Sequence, residues 1–199
     1  MTQSLSTGEP SFRFNPDRVA YFEATGWRAY YDRAWFKLLA LIVSLCQEQF
    51  RIPFPVSLLA AYYVTRASIA WAPLDHDVSV VHAFYEKFYR LARRYSGLQF
   101  DPKIVAALET EYNDVHRRLS GKPDKAEFVQ TMISLHSALF GIPADLARES
   151  AEQRVLANNT VDLITSHTSQ DVEADWAKLE DHLRQCYRSI GRAVQTNSN

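Results

Sequence analysis

The sequence predicts an all-α, single-domain bundle of about seven helices arranged around a central hydrophobic helical hairpin. Three observations carry that expectation. Apolar residues recur three and four positions apart through most of the chain, with no convincing alternating run. Proline, glycine and aspartate sit at the ends of those runs, where helices start and stop. From Ala34 to Ala72 only Lys37, Glu48, Arg51 and Arg66 carry charge, so this stretch reads as the part that the rest covers.

The first helical run opens at Pro16 or Asp17 and extends towards Arg51. Gly26 is the point where it would kink or divide, because glycine costs roughly 1 kcal/mol in a helix interior. Pro53 and Pro55 impose a tight connection, and a second helix runs from about Pro55 to Trp71, stopped by Ala72-Pro73. These two make the expected hairpin. The third helix starts near Asp75 or Asp77 and ends at Ser96-Gly97. Asp101 and Pro102 supply the cap and first-turn proline of the fourth, which closes at Gly121. Pro123 opens a fifth that ends at Gly141, and Pro143 a sixth that reaches His167. Thr168 and Asp171 have capping-box spacing for a seventh, ending near Gly191. Residues 1–15 and 193–199 are polar and read as disordered tails around a helical domain of residues 16–192. No repeat or Gly/Ser linker divides that domain.

Composition excludes some functions. With 22 basic against 23 acidic residues, the chain lacks the basic excess of a nucleic-acid binder. The clusters Arg90, Arg93, Arg94 and Arg117, Arg118, Lys122 fall at helix C-termini, where the dipole favours cations. Cys46 and Cys186 stand 140 positions apart and form no ligand or disulfide pattern, which suggests a reducing compartment. The N-terminus has no apolar signal-peptide region, and Ala34–Cys46, broken by Lys37, falls short of the ~18 residues of a membrane span. A cytoplasmic location is the expectation.

Among six glycines there is no GxGxxG, Walker loop or GxSxG elbow, and HExxH and paired ExxH segments are also missing. What remains is a set of polar residues on stripes that should be apolar. Glu48 continues the line of Leu41 and Leu45, and Arg66 shares a face with Leu59, Tyr62, Tyr63 and Ala70. The bland account pairs Glu48 with Arg66 inside the hairpin. His82 lies among Val78, Val81 and Tyr85. His116 follows Glu109 by seven residues beside Tyr112, and His136 stands on the stripe of Phe128, Met132 and Leu139. Each is more simply a core histidine bonded to a neighbour. Asp75, His76 and Asp77 cluster in a loop, where the plain role is an N-cap. Asn158 and Asn159, poor helix formers, fit exposure best.

Two functions follow. In the first, the protein is a non-catalytic binding or protein-interaction module with an aromatic-rich interior, whose exposed helix faces meet a partner or form a homo-oligomer. In the alternative, it is a helical-bundle enzyme acting on a small apolar or aromatic ligand. Glu48, His82, Glu109, His116 and His136 would then be the catalytic set or hold a divalent metal, with Tyr62, Arg66, Asp75, His76, Tyr85 and Tyr112 lining the ligand site.

Overall fold

A computed structural model describes residues 12–197, and among these it contains eight α-helices and no strand. They are α1 (Pro16–Tyr31), α2 (Trp35–Phe50), α3 (Val56–Trp71) and α4 (Val78–Ser96), followed by α5 (Pro102–Leu119), α6 (Ala126–Phe140), α7 (Ala144–Thr165) and α8 (Val172–Asn197). Each helix packs on the next in the chain, and α1 also packs on α8, so the elements close into a ring. One continuous hydrophobic core fills it.

The expected start and stop signals mostly act as read. Asn15 caps α1 by accepting from the Asp17 and Arg18 amides, with Pro16 in the first turn. Asp77 and Asp101 cap α4 and α5 through the Ser79 and Lys103 amides. Gly97 ends α4 at φ +80°, a left-handed conformation that glycine adopts without strain. Asp171, rather than Thr168, supplies the capping acceptor of α8, to the Ala174 amide.

Several boundaries differ. The first run divides into α1 and α2 at Asp32–Ala34, where Arg33 takes φ +56°, and Gly26 stays inside α1. That break adds the eighth helix. α6 begins at Ala126 instead of Pro123, after Asp124 accepts from the Ala126 amide. α8 continues past Gly191 to Asn197, with Ala193 and Val194 buried. Pro16 lies 3.7 Å from where a Cβ on Gly191 would stand, so this glycine leaves room for the start of α1. Phe12 is already buried, against Phe14 and Phe140. The remainder of the two expected tails lies outside the described residues.

The larger correction concerns the hairpin. α2 and α3 are not central: they flank the bundle and turn large apolar side chains outward. α3 buries only Ser57, Ala60, Ala61 and Ala67, a small-residue stripe that packs towards α4. Leu58, Leu59, Tyr62 and Ile69 occupy the opposite arc, 41–60% exposed. On α2 only Cys46, Gln49 and Phe50 are buried, whereas Trp35 is 57% and Phe36 93% exposed. Absence of charge marked these helices as apolar, but not which of their faces meets the core.

Candidate functional site

Two features carry possible function: a polar network at the centre of the ring and the apolar outer face of α2 and α3. The network is built by residues that interrupt apolar stripes. Glu23 follows Val19 by four residues and precedes Trp27 by four on α1. Arg154 stands between Ala147, Ala151, Asn158 and Val161 on the inner face of α7. Tyr187 lies between Leu183 and Ile190 on α8.

These three meet. Arg154 places a guanidinium nitrogen 2.6 Å from one Glu23 oxygen, and the Tyr187 hydroxyl donates to the other at 2.5 Å. The two charged side chains are 13% and 9% exposed. Burial works against the Arg154 charge, but Glu23, with Tyr112 and Tyr187 beside it, more than offsets this and holds the guanidinium protonated. Burial and the Glu23 charge together raise the Tyr187 phenol, which keeps it a donor. The guanidinium also lies over the rings of Trp27 and Tyr112, 5.1 and 5.7 Å from their centroids. Tyr112 in turn donates to Asn158, whose amide donates to the Arg154 carbonyl.

Adjacent parts of the interior are bonded in the same manner, although Arg154 Nε and Asp162 Oδ2 are buried without a hydrogen-bond partner. Tyr89 donates to Glu109 at 2.9 Å, and burial raises the Glu109 carboxyl despite that bond and the Arg154 charge. Asn113 donates to the Tyr85 hydroxyl and to the Glu109 carbonyl. His116 donates from Nε2 to Asp162 at 3.0 Å and stacks on Tyr112 and Phe128. His136 meets the Ser150 hydroxyl through Nδ1 at 2.8 Å. Ser150 gives its one proton to the Ala147 carbonyl, so Nδ1 must be the donor. Burial, and then the Arg154 charge, push His136 down to about 3, so it is neutral in the folded protein.

Of the expected site residues, Tyr85, Glu109, Tyr112 and His116 share this part of the interior, and the others lie apart from it. Glu48 does not pair with Arg66: it takes the Arg18 guanidinium at 2.8 Å and the Asn15 amide at 3.2 Å. Arg66 leans outward on Tyr62 and the Phe84 ring. His82 is part-buried on α4. Tyr85 and Tyr112 are in the interior, Tyr62 is on the surface, and Asp75 is exposed in the α3–α4 loop. His76 is held there by the Pro73 carbonyl and faces Asp114 at 3.6 Å. Arg117 clamps the same loop from α5, bonding the Trp71, Ala72 and Pro73 carbonyls and stacking 3.5 Å from the Trp71 ring centroid. Among the described residues, no three His, Cys, Asp or Glu side chains gather as a metal would require. Two clefts open at the surface, one lined by Arg90 and Lys103 and the other by Phe14 and Arg192.

Sequence reasoning assigned no role to Glu23, Arg154 or Tyr187. The signal was present, a charge inside an apolar stripe, the criterion that singled out Glu48. Asn158, read as exposed, is 2% exposed and part of the network. Helices this polar look like outer ones; only their inner arcs show otherwise.

The second feature is the hairpin's outer surface. Nine large apolar side chains between Trp35 and Leu74 are 41–93% exposed, with Phe36 and Leu74 the extremes at 93% and 86%. On α3 they fall on one arc, since Leu58, Tyr62 and Ile69 are four and seven residues apart. Tyr30 and Tyr31 extend the surface, with Tyr30 meeting the Trp35 ring edge-on at 6.1 Å. No helix among the described residues is long and apolar enough to cross a membrane. Comparison with known proteins returns no match to any family model, curated protein or solved structure.

Proposed function

We propose that the protein is a non-catalytic, helical interaction module that docks another protein chain through the outer face of α2 and α3. The observation that carries this reading is the exposure of large side chains on two of the three most apolar helices among the described residues. Monomers rarely expose an apolar patch above roughly 300–600 Å² unless it is functional. Nine side chains at these exposures, two of them (Phe54 and Leu74) in the connections at the ends of α3 and with aromatics offering 150–250 Å² each when fully bared, total about 1,000 Å² over the hairpin and its loops. The aromatic content and scarcity of charge match the composition of interface cores.

The interior supports the same reading from the other side. Glu109, His116 and His136 are each bonded to a neighbouring side chain, which serves a fixed scaffold. No observation favours the enzymatic alternative, with its small ligand or divalent metal. A reducing, cytoplasmic setting belongs to the proposal and is supported by the two free, buried thiols.

The test is affinity capture from the protein's native cell extract with wild-type and Phe36→Glu chains immobilised in parallel. Phe36 is almost wholly exposed, so the substitution leaves the fold intact. A partner held by the wild type and released by the variant is the expected result. Identical retention by both chains contradicts the reading.

A further inference from the structure

We infer that the occupant of the α2–α3 face is a second copy of this chain, in a two-fold symmetric dimer. The inference rests on the docking reading above and adds the identity of the partner. Three observations lead to it.

The first is area. About 1,000 Å² of exposed apolar surface on the hairpin and its loops is on the scale of the ~800 Å² that each partner contributes to a standard stable interface. The second is complementarity within the chain. Outside the hairpin and the adjoining Tyr30 and Tyr31, seven large apolar residues are exposed among those described, none above 56%, spread over five helices. Among the described residues, the only apolar surface of comparable size to meet this face is the face itself. A patch that meets its own copy gives an isologous interface, which closes at two and leaves no open end.

The third is charge. Glu48 and Arg51 are engaged on the side of the N-terminal segment, by Arg18 and by the Arg13 carbonyl. Lys37 and Arg66 are the charges left on the outer surface of α2 and α3. Lys37 opens α2 and Arg66 lies in the second half of α3, so the short turn between these helices sets both cations towards one end. A two-fold axis across the hairpin then separates the cations of one copy from those of the other. A lipid surface fits less well, because interfacial helices carry a flank rich in Lys and Arg.

Sedimentation velocity on the full chain, from about 1 to about 100 µM, tests the inference by mass action. The expected result is a species of twice the 22.8 kDa chain mass that dissociates on dilution. Phe36→Glu and Ile69→Glu chains should sediment as monomers across the range with unchanged helical circular dichroism. Ile104→Glu, on an exposed site of α5, should still dimerise; Leu74→Glu substitutes for either face variant if one misfolds. A wild type that stays monomeric at the top concentration overturns the second-copy inference, as do dimers that survive both face substitutions. The docking reading then stands or falls on the capture experiment alone. Flotation of the wild type with anionic phosphatidylserine vesicles, lost in Phe36→Glu, overturns both.

Discussion

Replacing Arg154 by Met probes the centre of the scaffold. The substitution keeps a long, flexible side chain between the Trp27 and Tyr112 rings but removes the cation 2.6 Å from Glu23. Glu23 then keeps the Tyr187 hydroxyl as its one remaining close donor at 2.5 Å, with its carboxylate 9% exposed. Breaking a buried pair in this way costs about 3–5 kcal/mol, because the surviving charge is left without compensation. For a chain of this size each kcal/mol moves the midpoint by roughly 2–4 °C, so Tm should fall by about 6–20 °C. Urea unfolding followed by circular dichroism gives the free energy, and a thermal scan gives Tm. The double variant Glu23→Gln, Arg154→Met should recover most of the loss, since the amide is neutral and still accepts from Tyr187. A single-variant loss below about 1 kcal/mol, or no recovery in the double, would refute the claim that this pair is a buried, mutually dependent unit.

His136 sets a pH dependence of definite sign. Its folded value near 3 lies below the ordinary 6.5, so the unfolded chain binds the proton first. Its contribution is complete above pH 6.5 and falls by about 1.4 kcal/mol per unit as pH drops towards 3. His136→Gln should flatten that limb of the stability–pH curve; an unchanged slope contradicts the assignment. Glu109 acts in the opposite sense, because its folded value is raised from 4.5 by burial. Its contribution is present at low pH and lost as pH rises through the folded value. Glu109→Gln, which still accepts from Tyr89, should raise Tm at neutral pH and lose that advantage near pH 4. Burial pushes the Cys46 and Cys186 thiols up to about 12, so both should resist a thiol-specific disulfide reagent until urea unfolds the chain.

The helical class and most boundaries were legible because local chemistry decides them. Asp77, Asp101, Gly97 and Gly141 cap or end helices wherever the chain goes next. The split at Arg33 was not legible, since its left-handed turn involves no glycine or proline. What the sequence conceals is which arc of each helix faces inward. α3 settles this by size, turning Ala60, Ala61 and Ala67 inward and Tyr62 and Ile69 outward, the reverse of what apolar character alone implies. α7 settles it by pairing: Arg154 and Asn158 are interior because Glu23 and Tyr112, far away in sequence, meet them there. Such partners cannot be read from one helix at a time.

The outward position of the α2–α3 face is the claim on which the functional account depends. The measurement that tests it most directly is the urea stability of the double variant Phe36→Glu, Ile69→Glu in dilute solution, where association does not contribute. Both sites are exposed, at 93% and 60%, so the account predicts unfolding free energies within about 0.5 kcal/mol of wild type per substitution. If the hairpin were the buried centre of the bundle, each glutamate would bury an unpaired charge and cost several kcal/mol. A double variant that unfolds under those conditions would contradict the account.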